Sequence, residues 1–161
     1  MRLITDLRDN VAKAAAYLDS GAAVREHLEP KSEGIMAIQR ARLMDGKRPD
    51  GGDIRPYYSE DRYFLTQARA DAYKAWKQEI TPNPRRNPDA PNLYINGKFH
   101  SELGVSFEPD GVEINGKTGY AIGIVRKYGM DSFGLSDDEW NGLVRDELPK
   151  IRKRITQILY G

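Results

Sequence analysis

The chain contains no cysteine. Disulfide frameworks and cysteine-ligated zinc are therefore excluded, and the composition suits a reducing compartment. Histidine is scarce: His27 and His100 are the only two in 161 residues. They lie far apart, and neither falls in a metal-ligating spacing such as H-E-x-x-H, so neither catalysis nor metal binding is read from them. No apolar run approaches the roughly 18–20 residues of a membrane-spanning helix. The opening residues, Met1-Arg2-Leu3-Ile4-Thr5-Asp6-Leu7, lack the apolar centre of a signal peptide. An excess of one charge is missing as well, since 25 Lys and Arg oppose 24 Asp and Glu for a net charge of +1. That balance argues against a dedicated nucleic-acid binder and leaves little repulsion to oppose self-association. The expectation is an intracellular product with no membrane partner.

What is present is a polar globular composition, with 39% hydrophobic and 30% charged residues and a mean hydropathy of −0.68. The length predicts one domain with a real core, residues 1–161. Leu3, Leu7, Val11, Ala14, Ala15 and Leu18 recur at helical spacing and predict a first amphipathic helix over 1–18, stopped by Asp19-Ser20-Gly21. A second helical region, 22–43, should be broken by Pro30 and Gly34, leaving a helix from about Glu33 with Ile35, Ile38 and Leu43 on one face. Residues 1–44 thus form a helical region. Residues 45–91 are loop-rich with one helix over 66–80, whose Ala68, Ala72, Ala75, Trp76 and Ile80 lie near one face. The stretch 81–91 carries Pro82, Pro84, Pro88 and Pro91 and reads as an extended, solvated connection.

The clearest local pattern lies in 92–129. Leu103, Val105 and Phe107 alternate with polar residues, as do Val112 and Ile114, and Pro109-Asp110-Gly111 joins the two runs. Period-two alternation around a turn predicts a β-hairpin with one buried face. Its candidate core is Leu93, Ile95, Phe99, Leu103, Val105, Phe107, Val112 and Ile114. A buried helix over 120–128, or alternatively a strand, follows and ends at Gly129. Ser136-Asp137-Asp138-Glu139 is a capping box opening a C-terminal helix within 136–160, with Pro149 expected to kink or divide it. Its apolar stripe is Leu143, Val144, Leu148, Ile151, Ile155, Ile158 and Leu159. The fold class is α+β: N-terminal helices, a small antiparallel sheet built around a hairpin, and a C-terminal helix.

Candidate chemistry is thin. Gly111 to Thr118 fits the phosphate-loop pattern G-x-x-x-x-G-K-T. Its four intervening residues, Val112-Glu113-Ile114-Asn115, alternate like a strand, and Glu113 would set a negative charge beside a nucleotide, so the match reads as a hairpin strand ending in an Asn-Gly turn. The aspartates of Asp45-Gly46-Lys47-Arg48-Pro49-Asp50-Gly51-Gly52-Asp53 look superficially like a calcium loop but lack its alternating ligands and its Glu at position 12. Turn chemistry explains them. Basic residues gather at Lys150-Ile151-Arg152-Lys153-Arg154 and at Arg85-Arg86. No catalytic residue, cofactor or metal ligand set is assigned. The loop aromatics Tyr57, Tyr58, Tyr63 and Phe64 read first as anchors that pin the loop to the domain and alternatively as interface residues; with Arg85 and Arg86 they are the candidate protein interface.

The order of segments carries a resemblance. Gln39-Arg40-Ala41-Arg42-Leu43-Met44-Asp45-Gly46 is followed by Arg48-Pro49-Asp50-Gly51-Gly52-Asp53-Ile54-Arg55-Pro56-Tyr57-Tyr58. Then come Tyr73-Lys74-Ala75-Trp76-Lys77, Ile80-Thr81-Pro82-Asn83-Pro84, Asn92-Leu93-Tyr94-Ile95-Asn96-Gly97-Lys98-Phe99, Tyr120-Ala121 and Lys127-Tyr128-Gly129. This series, over 39–129, resembles the virion-morphogenesis and tail-completion proteins of tailed phages and prophages. Ile95-Asn96-Gly97-Lys98-Phe99 stands where that family has a Thr-Gly-x-Leu segment, with Asn96 in place of the Thr. The resemblance implies a structural subunit without catalytic residues. It would form a homo-oligomeric ring at the head–tail junction or tail end, contact other neck or tail proteins, and reside in the virion after assembly in the host cytoplasm. The alternative is a small nucleic-acid-associated protein of a mobile element, using the 150–154 face. A nucleic-acid partner is not expected on the first reading.

Overall fold

The computed structural model describes residues 2–161, and side chains from residue 6 onward. The fold is α+β, 61% helical, with one two-stranded antiparallel sheet. The helices are α1 (Arg2–Asp19), α2 (Ala22–Leu28), α3 (Ser32–Met44), α4 (Gln67–Ile80), α5 (Lys98–Ser101), α6 (Gly119–Tyr128) and α7 (Asp137–Tyr160), and the strands are β1 (Leu103–Glu108) and β2 (Gly111–Gly116). Where composition leads to one domain, contacts cluster into two compact units, each discontinuous in sequence. Unit 1 holds the residues up to Glu33, the hairpin tip Val105–Glu113, and Asp137–Gly161; unit 2 holds Gly34–Gly104 and Ile114–Ser136.

In unit 1, α1, α2 and α7 pack pairwise. Asn10 ties α1 to the end of α7 by donating to the Leu159 carbonyl at 3.1 Å. Gly21 takes φ 71° at the N-terminus of α2, and a Cβ there would stand 2.9 Å from the Pro109 Cα, so the hairpin tip closes directly on a glycine. Tyr17 donates to Glu26 at 2.9 Å. Burial and that carboxylate push the Tyr17 phenol up to about 12. The predicted break at Gly34 does not occur: Gly34 lies inside α3, and the helix axis is interrupted instead by one 3-10 turn, Glu29–Lys31, around Pro30. Pro149 sits inside α7 without dividing it.

The predicted stripe of α7 needs a correction. Leu148 is 37% exposed, whereas Glu147 is 2% exposed. Glu147 turns inward because two lysines meet it there, Lys150 at 2.7 Å and Lys31 at 3.1 Å, with the His27 Nδ1 at 3.5 Å. The hydrogen bond from Lys150, helped by Lys31 and opposed by burial, holds the Glu147 carboxyl below its ordinary 4.5. A depressed carboxyl stabilises the fold above its unfolded pKa and loses that contribution as pH falls through its folded value. Lys31 and Lys150 are partly solvated, which limits each pair to about 1 kcal/mol. Glu147→Gln should therefore cost about 1–2 kcal/mol at pH 7, and the gap to the parent protein should narrow as pH falls below 4.5. Urea denaturation read through Trp140, on α7, measures both.

Unit 2 is built around α3, which buries Ile35, Met36, Gln39 and Leu43. Ile38, expected on that face, is 38% exposed. Positions 35, 39 and 43 lie one helical turn apart, so the buried line runs through Gln39 rather than Ile38. Gln39 is satisfied: its carbonyl accepts from the Gly134 N–H at 3.0 Å and its amide reaches the Ser132 carbonyl at 3.5 Å. Leu103 and Ile114, at the base of the hairpin, are 0% and 2% exposed and join Ile54, Phe99, Val125 and Phe133 in the core. Fully burying each such side chain contributes about 1.5–3 kcal/mol. Thr118 caps α6, accepting from the Ala121 N–H at 3.2 Å.

Two further expectations fail here. The buried face of α4 is Ala70 and Lys77 with half-buried Tyr73, while Ala68, Ala72 and Ala75 are exposed and Trp76 and Ile80 are 38% and 37% exposed. Alanine weighs little in solvation, so the larger Tyr73 and the aliphatic stem of Lys77 set the inward face. The proline segment is neither extended nor fully solvated: Thr81, Arg86, Ala90 and Pro91 are buried. Asparagines pin it, Asn83 donating to the Met44 carbonyl and Asp45 at 3.1 and 2.7 Å, and Asn87 to Asp53 at 2.8 Å.

Candidate functional site

Unit 2 carries a half-open cavity of about 180 Å³. Helix α6 presents Tyr120, Ile124 and Tyr128 to it, at i, i+4 and i+8, and α4 presents Tyr73 and Lys77, at i and i+4. Tyr58 comes from the long loop, Phe99 from α5, and Leu93 to Asn96 from the segment before it. That segment is held by a chain of polar contacts. The Thr81 hydroxyl donates to the Lys77 carbonyl at 2.8 Å and accepts from Asn92 at 3.0 Å. The Asn92 side chain accepts from the Tyr94 N–H at 3.2 Å, and its carbonyl faces the His100 Nε2 at 3.0 Å. Between them Leu93 is held at φ 54°, a left-handed backbone that leucine rarely adopts.

The electrostatics of this cavity are unusual. Lys77 is 1% exposed and its amine donates to the Tyr94 carbonyl. Arg86 is 3% exposed; its Nη1 donates to the Ala90 carbonyl at 2.9 Å, while Nε and Nη2 have no partner. Among the described residues no carboxylate pairs with either cation. Burial first, and the nearby Arg86 charge second, lower the Lys77 pKa to about 8. Burial pushes the phenols of Tyr58 and Tyr128 up and the imidazole of His100 down, so these stay neutral at pH 7.

Comparison with family models, with curated proteins and with solved structures finds no match for this chain.

The predicted interface residues divide. Tyr63 is 77% exposed and the Arg85 side chain 80% exposed. Tyr57 is half-buried, donating to Asp53 at 3.0 Å with the Arg55 guanidinium 4.0 Å above its ring. Phe64 is half-buried against Tyr73, with ring centroids 4.9 Å apart. Tyr58 and Arg86 are core residues, at 4% and 3% exposure, so neither can present an interface in this fold. Tyr58 is drawn in by edge contacts with Tyr73 and Phe64 at 5.0 and 6.1 Å. The predicted hairpin core also divides. Leu103 and Ile114 are buried, Val105, Phe107 and Val112 half-buried, and Phe99 buried but on α5. Ile95 is 56% exposed and Leu93 half-buried, because this entrance segment bends before α5 instead of extending into β1.

The phosphate-loop match is spent on structure. Gly111–Gly116 is strand β2, the Lys117 N–H donates to the Glu102 carbonyl at 2.8 Å, and the Thr118 hydroxyl donates to Glu102 at 2.6 Å. A curled cradle of amides is not formed there. The calcium-like stretch is a small turn in which Asp50 accepts from the Gly52 N–H at 2.9 Å. Burial alone would push the Asp53 carboxyl up; hydrogen bonds from Lys47, Asn87 and Tyr57 outweigh it and hold the pKa below its usual value. His100 and Ser101 sit on α5, where Ser101 donates to the Lys98 carbonyl at 2.8 Å and the His100 Nε2 lies 3.0 Å from the Asn92 carbonyl. Among the described residues no group of His, Asp and Glu is placed to hold a metal, and no helix is long and apolar enough to cross a membrane. In the basic cluster, Lys150 pairs with Glu147 at 2.7 Å and Arg154 approaches Glu26 at 3.8 Å.

Proposed function

We propose that the chain is a non-enzymatic subunit of a tailed-phage or prophage particle. In this reading it assembles as a homo-oligomeric ring at the head–tail junction or tail end, contacts other neck or tail proteins, and passes from host cytoplasm into the virion. The segment order over 39–129 supports the family. One observation supports assembly: Tyr63 and Leu65 stand 77% and 79% exposed on one loop tip. The tip is firmly held. Asp61 accepts from the Tyr63 N–H at 3.0 Å and from Lys127 at 2.6 Å, and Leu65 is kept at φ 58°. Apart from the edge contact of Tyr63 with Phe64 and the Lys127 amine over its ring, these two large side chains are held in water by a strained turn; covered by a neighbouring copy, they act as anchors. A ring also needs a second, different patch on each copy. Leu7, Val11 and Leu18 of α1, each about half exposed at 51%, 52% and 45%, supply an apolar stripe of that kind.

Light scattering should give a whole-number multiple of 18.2 kDa for the parent protein, and electron microscopy a closed ring. Tyr63→Ser with Leu65→Ser should release folded monomers. A parent protein that stays monomeric at high concentration and binds DNA in a salt-sensitive way would sink this reading in favour of a nucleic-acid-associated protein.

A further inference from the structure

We propose that the cavity of unit 2 is a binding site for a small carboxylate on an aromatic body, with the anionic head on the Lys77 amine and the ring among Tyr73, Phe99, Ile124 and Tyr128. The inference goes beyond assembly and does not depend on it. Its first basis is a charge imbalance. Lys77 and Arg86 are 1% and 3% exposed and have only backbone carbonyls as acceptors, one each. Taking a charge out of water costs several kcal/mol unless an opposite charge repays it. Unit 2 places two like charges close enough to act on each other and supplies no carboxylate to either. An anion from outside the chain is the missing partner.

The second basis is space. Lys77 is one of the residues that line a cavity of about 180 Å³, and its amine is held at the Tyr94 carbonyl, on another lining residue. A dry apolar cavity of about 150 Å³ holds benzene, so one six-membered ring with a short acid arm fits. The walls match such a body. Tyr58, Tyr73, Tyr94, Phe99, Tyr120 and Tyr128 surround it with ring faces and edges, which favour another ring in offset or edge contact. Arg86 does not line the cavity but acts on Lys77 through its charge, so it contributes field and Lys77 contributes the contact. The third basis is rigidity. The Thr81–Asn92–Tyr94 contacts fix the backbone carbonyl that orients the Lys77 amine, so the donor is positioned before any ligand arrives.

The test is titration of the full chain with phenylacetate, 2-phenylethanol and acetate, followed by amide NMR shifts and calorimetry. Phenylacetate should shift amides of 91–99 and 119–128 saturably and bind at least about tenfold more tightly than the neutral alcohol, the range of a hydrogen bond to a charged group. Acetate alone should bind too weakly to saturate. Lys77→Met should abolish the preference for the acid, and Ile124→Trp, which fills the cavity, should abolish binding of both aromatic compounds. Because the free amine titrates at about 8, phenylacetate affinity should fall as pH rises past that value. Equal affinity for acid and alcohol, unchanged binding in either variant, or no saturable shift with phenylacetate overturns the proposal.

Discussion

Gly116→Ala is expected to cost unit 2 about 3 kcal/mol, at the upper end of what overpacking does, while Gly111→Ala should leave stability unchanged or raise it by about 0.4–1 kcal/mol. Both are glycines of the phosphate-loop match, and only one is needed. A Cβ on Gly116 would meet the backbone of Ala121 and Ile122 and stand 2.7 Å from the Ala121 Cβ, whereas one on Gly111 meets nothing within 4 Å. Backbone cannot step aside as a flexible side chain can. The first turn of α6 is fixed by the Thr118 cap, and Ala121 and Val125 are 0% and 1% exposed, so relief requires moving the whole helix. Urea denaturation followed through Trp76, on α4, in a Trp140→Phe background reports unit 2. A Gly116→Ala variant within about 0.5 kcal/mol of its parent would show that α6 packs elsewhere.

The hairpin was legible because alternation and a turn triplet are local signals, and β1 and β2 fall where they predict. The helix start at Thr66 and the glycines at 21 and 129 likewise mark helix ends by local chemistry. Gly116 was not legible in its true role. Asn115-Gly116 reads as a turn, and nothing in the neighbouring residues says that a helix will lie against it. The cavity was hidden for a related reason. Hydrophobic pattern ranks Lys77 with the solvent, although its stem follows Tyr73 on the same helix face and its amine ends at the Tyr94 carbonyl, 17 residues on. Arg86 was hidden in a segment whose prolines suggested exposure, because asparagine contacts with Met44, Asp45 and Asp53 fold that segment back. The sequence signal that was available is weak: Asn83, Asn87 and Asn92 recur among the prolines, and asparagine in such a stretch pins turns.

Lys77→Met should stabilise the protein at pH 7 by about 2 kcal/mol, an uncommon sign for a buried substitution. The Lys77 pKa falls from 10.5 to about 8 on folding, a shift worth about 3 kcal/mol against the charged form. Loss of the bond to the Tyr94 carbonyl returns about 1 kcal/mol of that. Methionine keeps the length and flexibility of the stem and fills the same space without a charge. The pH dependence separates this cause from better packing. Between about 8 and 10.5 the unfolded chain holds the Lys77 proton and the folded chain has released it, so parent stability should rise with pH across that window relative to the variant. Below about 8 both states are protonated and the advantage of methionine should be constant; above 10.5 neither is, and the advantage should vanish or reverse. Saturating phenylacetate should narrow the comparison at pH 7, since it binds the chain that retains the amine more tightly. A constant advantage from pH 7 to 11 would assign the gain to packing and remove the buried charge as its cause.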